Sequence, residues 1–157
     1  MARQKAPALV APALVALALA VAGCGSGGVS AGAAVTIYAA APLCEEARGE
    51  LRSGGEAVDG LEVRVLCLAP VAPGAGSGGA DLAAAGADAR RATEDSTAVA
   101  YLESPGPAAR FTHSIVAAAD IAWVQASSAA KVMRRIDRAL EEAGSSSPRA
   151  AVLDKVG

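Results

Sequence analysis

The sequence predicts an α/β fold, a three-layer arrangement in which a parallel sheet lies between helices on both faces. Three observations carry that expectation. Short β-branched apolar runs alternate with helix-periodic stretches four times along the chain, the pattern of parallel strands joined by crossover helices. The strand runs are apolar for most of their length, as strands buried on both faces are. The 157 residues suit one domain and leave little room for two.

The elements follow in order. Val35-Thr-Ile-Tyr-Ala-Ala reads as a buried strand. A helix follows from Pro42 to Ser53, with Leu43, Ala47 and Leu51 at i, i+4, i+8 and with Glu45 and Glu46 in the first turn. Gly54-Gly55 stops it. Leu61 to Ala69 is the second strand: it alternates through Leu61, Val63 and Val65 and then becomes wholly apolar. Pro70 to Gly79 is a Pro/Ala/Gly/Ser loop whose glycine spacing fits no phosphate-binding motif. A weak helix spans Asp81–Asp95 with Leu82, Ala85, Ala89 and Ala92 on one face. Thr97 to Leu102 is the third strand, and Ser104-Pro-Gly-Pro is a turn that opens a helix with Ala108, Phe111, Ile115 and Ala119 as its buried stripe. Ile121 to Gln125 is the fourth strand. Ala129 to Ala143 carries a continuous apolar stripe, Val132, Met133, Ile136, Ala139, Leu140 and Ala143, and ends at Gly144. Ala150 to Val156 is a final short segment, helix or strand. Right-handed crossovers place all strand C-termini on one edge, where ligands of such folds bind. That edge carries Ala41-Pro42, Ala69, Glu103-Ser104-Pro105 and Ala126-Ser127-Ser128.

The N-terminus reads as an address. Arg3 and Lys5 precede a mostly apolar stretch from Ala6 to Ala22, and small residues follow, which is the build of a secretory signal peptide. Val21-Ala22-Gly23-Cys24 resembles the lipobox of bacterial lipoproteins. That resemblance implies a diacylglyceryl (palmitate-type) group on Cys24 and cleavage before it. Residues 1–23 are then the signal peptide, 24–33 the lipidated cysteine with a flexible Gly/Ser tether, and 34–157 the folded lobe. The expected partner of Cys24 is membrane lipid, on the extracytoplasmic face of the cell membrane, where two acyl chains give stable attachment. Cys44 and Cys67 remain. In an oxidising compartment they form a disulfide, and the competing reading is two buried free thiols.

Within the lobe, Val35-Thr-Ile-Tyr, Gly60-Leu-Glu-Val-Arg-Val-Leu-Cys-Leu and above all the Ala89-Arg-Arg-Ala…Asp95-x-Thr-Ala-Val-Ala-Tyr-Leu run follow one order. That order is similar to the N-terminal lobe of type I periplasmic binding proteins. More narrowly it resembles actinobacterial branched-chain amino acid substrate-binding lipoproteins of ABC transporters. The resemblance implies binding of amino acids or similar small polar solutes, with Ser104, Ser127 and Ser128 as ligand contacts and an ABC permease as partner. The departures are a chain with room for one lobe only, Ala69-Pro70 where acidic residues commonly follow the second strand, and a missing threonine beside Ser127-Ser128. They favour a second class as the alternative, a structural or interaction lipoprotein that has lost its ligand.

Other classes fit poorly. A formal net charge of −2 argues against a nucleic-acid partner. His113 is the lone histidine and no CxxC occurs, so neither metal nor cofactor is expected. There is no GxSxG. His113, Glu45-Glu46, Glu141-Glu142 and Arg134-Arg135 read as solvated helix faces, so an enzyme is not expected.

Overall fold

The computed structural model describes residues 34–70, 78–144 and 146–157. The expected signal peptide, Cys24 and the tether lie outside them. The chain runs β1 (Ala34–Ala39), α1 (Ala41–Gly54), β2 (Ala57–Val58), β3 (Leu61–Cys67), α2 (Gly78–Glu94), β4 (Ala98–Glu103), α3 (Ala109–Ala117), β5 (Ala122–Gln125), α4 (Ala130–Ala143) and α5 (Pro148–Val156). The sheet order is β2-β3-β1-β4-β5. β3, β1, β4 and β5 are parallel, and β2 pairs antiparallel with β3. The α/β class with a mostly parallel sheet is therefore as the sequence predicts. No helix among the described residues is long and apolar enough to cross a membrane.

The period-two geometry of β1 explains the three layers. Ile37 and Ala39 join one core, with Leu43 and Leu51 of α1, Met133, Ile136 and Leu140 of α4, and Val152 of α5. Tyr38 points the other way, into a second core with Ala89 and Ala92 of α2, Tyr101, Val116 of α3 and Ile121. The first core is rich in branched side chains, with Met133 and alanines between them. The second has, among its buried residues, only alanine from α2 and Val116 from α3 on the helix side, with two tyrosines filling the space from the sheet.

Three elements depart from expectation. β2 was not foreseen, although its signal is present: Val58 pairs with Leu61 across Asp59-Gly60, both at positive φ (48° and 80°), the two-residue hairpin turn that Asp-Gly favours. In α3 the buried stripe is Ala109, Thr112 and Val116, while Phe111 is 44% exposed. The helix is turned because the Thr112 hydroxyl is drawn inward to a buried carboxylate, and Phe111 lies instead against Gly86 of α2. Leu82 likewise faces outward at the start of α2. The last segment is a helix, tied down by Arg149, whose guanidinium donates to the carbonyls of Ala98 (2.9 Å) and Ser96 (2.7 Å).

Candidate functional site

The strand order fixes where a site can form. From β1 the chain moves outward to β3, then crosses back over β1 to β4 and onward to β5. Connections leaving β1 and β4 therefore diverge to opposite faces, and a crevice opens beyond their C-terminal ends. A cavity of about 350 Å³ lies there. Its walls are small: Ala40 after β1, Pro42 of α1, Leu68 and Ala69 after β3, Ala85 of α2 and Ala108 before α3. The alanine-rich composition has a local consequence here, since no large side chain fills the space between α2, α3 and the sheet edge.

The polar groups of the cavity come from two elements. β4 supplies Tyr101 and Glu103, two residues apart and so on one face of the strand, followed by Ser104. α2 supplies Asp81 and Asp88. Glu103 is 7% exposed. Its Oε1 accepts from the Thr112 hydroxyl at 2.6 Å and from the Trp123 indole N–H at 2.7 Å. Two donors from different elements hold the carboxylate plane in place. The Trp123 ring in turn lies against the His113 ring, centroids 4.6 Å apart. Tyr101 is 2% exposed. Burial, then the charges of Glu103 and Asp88, hold its phenol above the ordinary range, so it is a neutral hydrogen-bond donor. Burial also raises the Asp88 carboxyl, against the opposing pull of Arg91. The site thus offers negative charge and a hydroxyl at one end and apolar walls around them.

The three serines expected to meet a ligand are not brought together. Ser104 lines this cavity. Ser127 and Ser128 border a separate depression past β5, with Pro105, Gln125 and Lys131. The Ser128 hydroxyl donates to Glu46 Oε1 at 2.6 Å, and the Ala129 and Ala130 amides donate to the same carboxylate at 2.7 and 3.3 Å. Glu46 therefore caps the N-terminus of α4 from across the α1–α4 contact, which satisfies orphan helix donors and suits the helix dipole. It is no plain solvated residue. The hydroxyl bond from Ser128, then the Ala129 amide, hold its carboxyl below the usual range. Glu46→Ala is expected to lower Tm by a few degrees in a calorimetric scan while leaving the switch-point cavity unaltered.

Cys44 and Cys67 are joined in a disulfide, Cα atoms 5.3 Å apart, linking the first turn of α1 to the end of β3. Their chain neighbours Pro42, Leu68 and Ala69 form one rim of the cavity. Sequence reasoning placed Glu103 on the ligand edge without giving it a role, and it passed over Asp81, Asp88 and Tyr101. A signal for Glu103 exists: it ends a strand that is otherwise Ala-Val-Ala-Tyr-Leu, where a buried acid needs a reason. Compared with protein-family models, with curated proteins and with solved structures, the chain matches none.

Proposed function

We propose that this protein is a lipid-anchored extracytoplasmic lipoprotein whose α/β lobe binds a small polar solute in the switch-point cavity, in the manner of substrate-binding proteins that serve ABC transporters. One observation carries the binding reading: a cavity beyond the C-terminal ends of β1 and β4 into which the buried polar residues Tyr101 and Glu103 both face. Ser104 sits on the same rim and supplies a further hydroxyl. The solute belongs in this cavity and not beside Ser127 and Ser128, where the Ser128 proton is committed to Glu46. The anchor reading rests on the Val21–Cys24 signature, and the Cys44–Cys67 bridge suits an oxidising compartment.

The test is thermal unfolding of the full chain, extracted from membranes in detergent, against a panel of amino acids, amines, amides and sugars. A solute at a hundredfold excess over its Kd is expected to stabilise the lobe by about 2.7 kcal/mol, a shift of several degrees. Ser104→Ala should shrink it. A melt that no solute moves would favour the interaction lipoprotein instead. The same preparation tests the anchor: incorporation of labelled palmitate should disappear in Cys24→Ser.

A further inference from the structure

We infer that the solute is an aliphatic amine or diamine, gripped by its ammonium between Glu103 and the Tyr101 hydroxyl, and not a zwitterionic amino acid. The inference rests on reading the switch-point cavity as a solute site and narrows what that site accepts.

Four observations lead there. The first is a pair of buried polar groups held ready. Tyr101 is 2% exposed and lines the cavity, and its hydroxyl has no hydrogen-bond partner among the described residues. Glu103 is 7% exposed, and both of its donors, Thr112 and Trp123, converge on Oε1. Oε2 accepts from no described residue. Neither atom is sealed off, since the buried side-chain atom left without a partner among the described residues is Asp137 Oδ1. The hydroxyl and the carboxylate oxygen stand open to the cavity on one face of β4, where a solute can replace water as their partner. An alkylammonium offers up to three N–H donors at a point charge, and the phenol oxygen and Oε2 are both acceptors for it.

The second observation is the sign of the charge. Among the described residues, the cavity is lined by Asp81, Asp88 and Glu103 and by no Lys, Arg or His. A ligand carboxylate entering this space would meet like charge and no described cation in the lining, the Arg91 that acts on Asp88 standing outside it, so the cavity selects against zwitterions as well as for cations.

The third observation excludes a bare metal ion. Among the described residues, the acids of the cavity do not bring three ligand oxygens within 4.8 Å of one another; Cys44, Glu45 and Cys67 do come that close, but the two sulfurs are bound to each other in the disulfide. A hard cation such as calcium needs six to eight oxygens at about 2.3–2.6 Å. Acids spread over β4 and α2 suit a longer molecule. One ammonium at Glu103 leaves Asp88 and Asp81, on the facing wall, for a second.

The fourth is the character of the remaining walls. Ala40, Pro42, Leu68 and Ala85 are small and apolar. They can bury a methylene chain while its charged ends reach the carboxylates, as the stem of a lysine does on a protein surface.

The experiment is titration calorimetry of the detergent-extracted full chain with 1,5-diaminopentane, n-pentylamine, leucine, 1-pentanol and calcium chloride. The diamine is expected to bind at one site per chain, the monoamine more weakly, and leucine, the alcohol and calcium not at all. Glu103→Gln keeps an acceptor for Thr112 and Trp123 and should weaken the diamine at least tenfold. Asp88→Asn, which relieves a half-buried charge and so preserves the fold, should weaken the diamine severalfold and leave the monoamine unchanged. Tyr101→Phe should weaken both. Binding of leucine with the diamine silent, or binding of calcium, would overturn the amine assignment and leave the solute site standing. A wild-type chain that binds no member of this set or of the wider panel would overturn both.

Discussion

Reduction of the Cys44–Cys67 disulfide is expected to cost the lobe about 3 kcal/mol of stability. The bridge closes a loop with a sequence separation of 23 residues, and the loss is the loop-closure entropy that the unfolded chain regains. Cys44 is buried among apolar neighbours and would be tolerated there as a thiol, so little native-state penalty offsets this. Urea unfolding with and without reductant reads the effect directly. The midpoint should fall by roughly 2 M and the slope should rise, since the released unfolded chain exposes more surface, and Cys44→Ala/Cys67→Ala should reproduce the reduced curve. An unchanged midpoint would mean that the unfolded chain is not held by the bridge. Because the disulfide pins the end of β3 to the first turn of α1, reduction should also weaken any ligand held between Pro42 and Ala69. A stability loss without a binding loss would separate the scaffold from the site.

Much of the architecture was legible because it rests on burial patterns. The apolar run at Val35–Ala39 can be satisfied only between two layers, and α4 declares its stripe through Val132, Met133, Ile136 and Leu140, all buried. What escaped is what apolar counting cannot see. Thr112 is fully buried because it serves Glu103, and that single hydrogen bond rotates α3 so that Phe111 faces out. Asp88 shares the inner side of α2 with Ala85 and Ala89, where alanine gives a pattern too faint to mark an acid as facing inward. Glu46 was hidden for a different reason. Its partners, Ser128 to Ala130, lie more than eighty positions away, and only the packing of α1 against α4 brings them together. The candidate site was legible as a location, since the strand-end edge follows from topology alone. Its chemistry was not, since Tyr101 and the carboxylates converge from β4 and α2.

Asp95→Ala is expected to cost about 3 kcal/mol, with the loss read as a fall in Tm of roughly 10 °C. Asp95 stands at the entry to β4, opposite the cavity end of the sheet. Its Oδ1 accepts from the Thr97 amide at 2.8 Å and the Thr97 hydroxyl at 2.6 Å, and its Oδ2 accepts from the Tyr38 hydroxyl at 3.0 Å. Thr97 bonds in turn to Thr36 of β1 at 2.7 Å. One carboxylate therefore locks the two strands that flank the switch point. Burial pushes the Tyr38 phenol up to about 12, aided by its bond to Asp95. Burial also acts to raise Asp95, but the two Thr97 bonds and the Tyr38 bond outweigh it and hold the carboxyl below its ordinary value. The sign of the pH effect follows. A depressed folded-state pKa contributes stability that is present above the unfolded value of about 4 and is lost as pH falls through the folded one. Asp95→Asn, which keeps an acceptor for Thr97 but no charge, should thus be less stable than wild type at pH 7 and converge with it in acid. A gap that stayed constant from pH 7 to pH 2 would show that shape and not charge holds the joint. The work of Asp95-x-Thr97 is to fasten β1 to β4. A sequence run with that duty reports on how the sheet is assembled. Under the proposed solute-binding reading, the solute would be chosen at the other end of the same strand, by Tyr101 and Glu103, and that is why the two ends need separate mutations.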